Sequence, residues 1–111
     1  MRCKGDKMKF FENLYLGSKV PNVEKIKKQI MNRSYFVNAY VIALANGDDQ
    51  LEIFDAKVLR QSYYVKHPRT IVAIAVDYNE AVELVMQITQ DALRQGYLGK
   101  LKDFLIDMET K

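Results

Sequence analysis

The chain has 111 residues, of which 49% are hydrophobic and 28% charged, with a formal net charge of +3. That is the length of one domain with enough apolar material to bury a core, which excludes an intrinsically disordered segment. The mild positive excess permits an acidic partner without arguing for one, because dedicated nucleic-acid binders concentrate far more positive charge on one face.

The single cysteine, Cys3, has no second thiol in the chain to pair with, so a reducing cytoplasm is the expected location. The amino-terminal stretch is charged where a secretion signal needs an apolar core, and no run approaches the roughly twenty apolar residues that span a bilayer. No membrane contact is expected. Residues 1–9 are dominated by Lys, Arg, Asp and Gly and read as a flexible tail, followed by a single α+β domain over residues 10–111.

Within that domain, the run from Phe10 to Leu16 reads as a short edge strand that touches the core through Phe11 and Tyr15, and Gly17-Ser18 ends it. Pro21 suits the first turn of a helix, where its missing amide hydrogen is not needed. That helix runs to about Arg33 with Val23, Ile26 and Ile30 inward and Lys25, Lys27, Lys28 and Arg33 around the rest. From Tyr35 to Ala45 the pattern turns β-branched and aromatic: Val37, Ala39, Val41, Ala43 and Ala45 alternate with Phe36, Asn38, Tyr40, Ile42 and Leu44, as in an interior strand. Asn46-Gly47-Asp48-Asp49 is a turn signal, so Gln50 to Phe54 reads as the return strand of a hairpin. Asp55 caps a brief helix from Ala56 to about Tyr64, with Val58 and Leu59 inward and Lys57, Arg60 and Gln61 outward, and His67-Pro68 stops it.

The stretch from Thr70 to Gly96 organises the rest. Ile71 to Val76 is apolar on both faces, as an interior strand must be when something packs on each side. The helix that follows carries two apolar rows, Ala81, Val85, Ile88, Ala92 and Val82, Met86, Thr89, Leu93, opposite Glu83, Gln87, Gln90 and Arg94. Asp77 stands where an N-cap belongs, Glu80 where it can close a capping box, and Gly96 where a left-handed stop belongs. A last amphipathic helix, Leu98 to about Met108, offers Leu98, Leu101, Leu105 and Met108 inward with Phe104 and Ile106 beside them. The fold class is therefore α+β, a small three- or four-stranded mostly antiparallel sheet covered by helices. If the first strand forms, the order is that of a ferredoxin-like split βαβ arrangement with two C-terminal helices. The long helix is expected over the small residues Ala39, Ala43, Ala73 and Ala75.

Chemistry is harder to place. The segment from Arg60 to Arg69 interleaves Tyr63 and Tyr64 with Lys66, His67 and Arg69, and aromatic faces among cations can stack on and neutralise a single-stranded nucleic acid or a phosphorylated ligand. Lys25 and Lys28 extend such a surface if the segments converge. The plainer reading has one tyrosine sealing the core's edge while Lys66, His67 and Arg69 solvate a loop. His67 can act as a general base only if a carboxylate or nucleophile is oriented beside it. Asp48 and Asp49 supply too few oxygens for a cation, and Asp77 with Tyr78, at the carboxyl end of the central strand, is accounted for by capping.

No nucleophile elbow, phosphate-binding glycine loop, metalloprotease helix or paired-cysteine zinc signature occurs, so no catalytic residue, metal site or cofactor is expected. The large residues Phe36, Tyr40, Ile42 and Leu44 on one strand and Val72, Ile74 and Val76 on the other need more cover than one helix gives. The sequence accordingly reads as a non-catalytic binding or assembly module acting as a homodimer or as a subunit of a complex with another protein. The alternative is a nucleic-acid-binding module using the basic and aromatic surface, and the second alternative a small enzyme with a His67-centred cleft.

Overall fold

The computed structural model describes residues 9–32, 37–44, 50–67, 69–97 and 100–109. Among them, β1 (Lys9–Leu16) is followed by α1 (Val23–Met31), β2 (Tyr40–Leu44), β3 (Leu51–Asp55) and a 3-10 turn (Ala56–Arg60). Then come α2 (Ser62–Lys66), β4 (Thr70–Ala75), α3 (Tyr78–Arg94) and α4 (Leu101–Glu109). The four strands lie in the order β1-β4-β2-β3, with β1 parallel to β4 and the other two pairings antiparallel. The fold is α+β, and the strand expected over residues 10–16 forms at the sheet edge.

A split βαβ unit is present, because β3 and β4 run parallel with β2 between them and the short helices cross from one to the other. The full ferredoxin-like arrangement is not formed. It needs β1 and β2 to run parallel on either side of α1, and here β1 follows β4 and so opposes β2.

Each face of the sheet has its own core. Val41 and Ala43 of β2 and Ile71 and Ile74 of β4 pack under Ile26 and Ile30 of α1, with Ala56 and Leu59 of the 3-10 turn beside them. On the opposite face Ile42, Val72, Ala73 and Ala75 meet Ala81, Leu84, Ile88 and Ala92 of α3 and Phe104 and Leu105 of α4. The alanines expected under one helix are thus divided: those of β4 lie beneath α3, and Ala39 and Ala43 lie on the α1 side. That division follows from the register, which sets Ala73 opposite Ile42 and Ala75 opposite Tyr40, and a β-bulge separates Val72 from Ile74, which were expected on one face. Ile42 pairs with Ala73 but Ala43 with Ile71, so Val72 is an extra residue and the strict alternation of β4 breaks there. Val72 consequently faces α3, and Ile74 faces α1.

Several local signals differ by a residue or two from expectation. Asn22, not Pro21, marks the start of α1, its side chain accepting from the Lys25 amide, so Pro21 precedes the cap. The expected helix after Asp55 is two pieces, because Gln61 adopts an extended conformation between the 3-10 turn and α2. Lys57 is not directed into solvent: its Nζ donates to the Val37 carbonyl at 2.8 Å and to Asn38 Oδ1 at 3.1 Å, tying the approach to β2 onto the turn. The Asn46 to Asp49 turn and Leu98, where the last helix was expected to begin, lie outside the described residues, and that helix runs from Leu101 with Lys100 before it non-helical.

Candidate functional site

Asp77 caps α3 through Oδ1, which accepts from the Glu80 amide at 2.8 Å. Glu80 does not complete a reciprocal capping box. Its buried carboxylate accepts from the Val76 amide at 2.9 Å and from the Lys19 amide at 3.0 Å. It thereby clamps the turn after β1 onto the turn before α3. Gly17 lies against it so closely that a Cβ there would sit 2.1 Å from Glu80 Cδ. The carboxyl end of the central strand is therefore filled by a structural carboxylate and by chain, with Asp77 used as a cap.

The basic and aromatic segment divides into inward and outward parts. Tyr64 is half-buried against the α1-side core, edge-on to the Phe54 ring at 5.2 Å. Arg69, expected in solvent, is only 8% exposed. Its guanidinium lies 5.5 Å from the Tyr64 ring centroid and 5.6 Å from that of Phe54, and its Nη1 pairs with Glu52. The Arg69 Nε is buried without a hydrogen-bond partner among the described residues. Cation–aromatic contact and the Glu52 charge explain how an arginine tolerates this burial.

Tyr63, Lys66 and His67 remain outward. The imidazole stacks on the Tyr63 ring with centroids 4.4 Å apart, and its Nδ1 lies 3.0 Å from the Tyr63 carbonyl oxygen. A carbonyl only accepts, so this bond places the proton on Nδ1. Among the described residues no carboxylate, hydroxyl or thiol hydrogen-bonds the His67 ring. The stacked pair is an exposed platform, and the described residues do not supply the orienting group that a base requires.

Lys25 and Lys28 stand elsewhere, in an open groove of about 580 Å³ along α1 that Asn22, Glu24, Gln29 and Asn32 also line. A neighbouring groove of about 480 Å³ adds Lys19 and Asn38. Tyr63, Tyr64, Lys66, His67 and Arg69 line neither, so the described grooves do not bring the seven candidate residues together.

The least expected surface is on α3. The row Ala81, Leu84, Ile88, Ala92 is buried, whereas in the second row Met86 is 57% and Leu93 48% exposed, and Tyr78, in line with them, 56%. Thr89 in that row hides its hydroxyl by donating to the Val85 carbonyl at 2.9 Å, so the stripe presents mostly carbon. At about 3.6 residues per turn the exposed row and Asp91 fall on opposite flanks of the buried row. Asp91 accepts from the Tyr15 hydroxyl of β1 at 2.7 Å. The exposed row therefore looks toward β3 and the end of β2, where Leu51, Ile53 and Leu44 are only partly buried. Both apolar rows were visible in the sequence; what it did not show was that one would be left without cover.

Comparison of the chain with protein-family models, with curated proteins and with solved structures finds no match to any of the three. Among the described residues no helix is long and apolar enough to cross a membrane.

Proposed function

We propose that the protein is a non-catalytic assembly module, working in the cytoplasm as a homodimer or as a subunit of a larger complex, with the outer row of α3 as its binding face. The observation that carries this reading is the alignment of Tyr78, Met86 and Leu93 on one helix stripe, continuous with partly buried residues of β2 and β3. Singly exposed apolar residues such as Met31 are ordinary, but a contiguous stripe marks a contact surface. Light scattering behind a sizing column, at moderate salt and over a range of concentrations, tests it. A mass of two chains, or more, supports the reading; a single-chain mass at every concentration removes its homodimer form.

A second reading has an observation of its own: Lys19, Lys25 and Lys28 border adjoining grooves with the amides of Asn22 and Gln29, a surface suited to a phosphate backbone. Anisotropy of a labelled single-stranded oligonucleotide at low salt tests that reading. Binding that weakens in a Lys25→Ala, Lys28→Ala chain and falls with salt favours it, and no binding at low salt rejects it.

A further inference from the structure

β3 pairs with β2 along one edge, and no described strand pairs with its other edge. A free edge is a template for another strand, and pairing with the same edge of a second copy about a two-fold axis closes after one addition. We propose that two copies of this chain join by antiparallel pairing of β3 with β3, with Ile53 on the axis opposite Ile53 of the partner subunit. The inference rests on the assembly reading above and names its partner and geometry.

Charge selects the register. An axis perpendicular to the sheet keeps equivalent faces together, so it must pass beside a residue rather than between two. Placed at Glu52 it would set two carboxylates face to face, which opposes pairing. At Phe54 it would run the strand into the partner's 3-10 turn, which begins at Ala56. At Ile53 all five residues of β3 are used, Glu52 lies opposite the partner's Phe54, and Asp55 lies opposite the partner's Leu51. No two acids then meet.

Both faces gain from this arrangement. On one, the exposed rows of the two α3 helices look toward the axis and cover each other's Met86 and Leu93. On the other, Arg69 lies over Phe54, next to which this register sets the partner's Glu52. The Arg69 guanidinium, already paired with Glu52 of its own chain, then has a second carboxylate at its side. A cation lying over Phe54, beside a strand edge whose register delivers a second carboxylate, is the charge complementarity that points to a second copy rather than an unrelated protein.

The test uses the whole chain carrying Cys3→Ser and Ile53→Cys, treated with a short thiol cross-linker, with mass measured in parallel. Rapid conversion to a covalent dimer, absent in a Cys3→Ser, Lys28→Cys control, supports the geometry. In the chain with native Ile53, Met86→Glu is expected to raise the dimer dissociation constant at least tenfold. A dimeric mass without cross-linking at position 53 overturns the β3 pairing and leaves the assembly reading standing. A single-chain mass at all concentrations overturns the inference together with the homodimer form of that reading.

Discussion

Gly17 and Glu80 act as one device. The glutamate's far end is ordinarily free to swing away from an added methyl, but here two backbone amides hold it, at Val76 and at Lys19. Glu80→Ala leaves both amides without their acceptor and should cost about 1–3 kcal/mol. Gly17→Ala should cost a similar amount, since the methyl displaces the same carboxylate. In urea titrations the double variant is expected to lose less than the sum of the two, because each change destroys the same contact. Tyr15 offers a test by pH. Burial first, then its bond to the Asp91 carboxylate and that charge, hold the phenol above its ordinary pKa of 10.0. The unfolded chain gives up this proton near pH 10 while the folded one keeps it, so the contribution is intact below that pH and lost as pH rises beyond it. Tyr15→Phe should lower stability by about 1–2 kcal/mol at neutral pH and flatten the decline between about pH 10 and pH 11, measured by urea unfolding. Arg69 shows where residue-level reading fails. A cation before a strand reads as solvated, and its burial depends on Glu52, Phe54 and Tyr64, which only the folded sheet brings beside it.

Elements were legible wherever a short-range cause sets them. α3 begins at its Asp77 cap and ends in the motif its glycine implies: the Gly96 amide donates to Leu93 at 3.1 Å and the Tyr97 amide to Ala92 at 2.8 Å, with Gly96 at φ +84°. Because no atom of the described residues lies within 4 Å of a Cβ at Gly96, Gly96→Ala meets no steric penalty from them. Its cost is the left-handed backbone alone, about 1–2 kcal/mol, and should appear as a lowered thermal midpoint with unchanged helical circular dichroism. The faces of β4 were not legible, since Val72 as an extra residue is a property of pairing with β2 and not of the apolar run itself. Nor was the strand partner of β1, because an edge strand of mixed residues carries no label for parallel or antiparallel neighbours. For the candidate site, the inward apolar row of α3 and the exposed one look alike in sequence. Which is covered depends on where α4 and β1 settle, and the Tyr15 to Asp91 bond puts them on the other flank.

At the scale of the molecule, a net charge of +3 is small enough to let two copies approach at ordinary salt. If association buries the outer row of α3, folding and assembly are linked, and the thermal midpoint should climb with protein concentration. Met86→Glu should abolish that dependence while leaving the midpoint of the dilute protein nearly unchanged, because Met86 is 57% exposed and surface changes of this kind usually stay within about 0.5 kcal/mol.

The sheet order also fixes a timetable. The hairpin partners β2 and β3 are near neighbours in sequence, but β1 has nothing to pair with until Thr70 and Ile71 exist, since Lys9 and Phe10 are joined to them. During synthesis the earliest of these strands to leave the ribosome is thus the one whose place in the sheet is built late. Closing that long loop is an entropic toll on the folding rate rather than on the finished fold, so slow refolding would trace to β1 arriving at an otherwise prepared sheet.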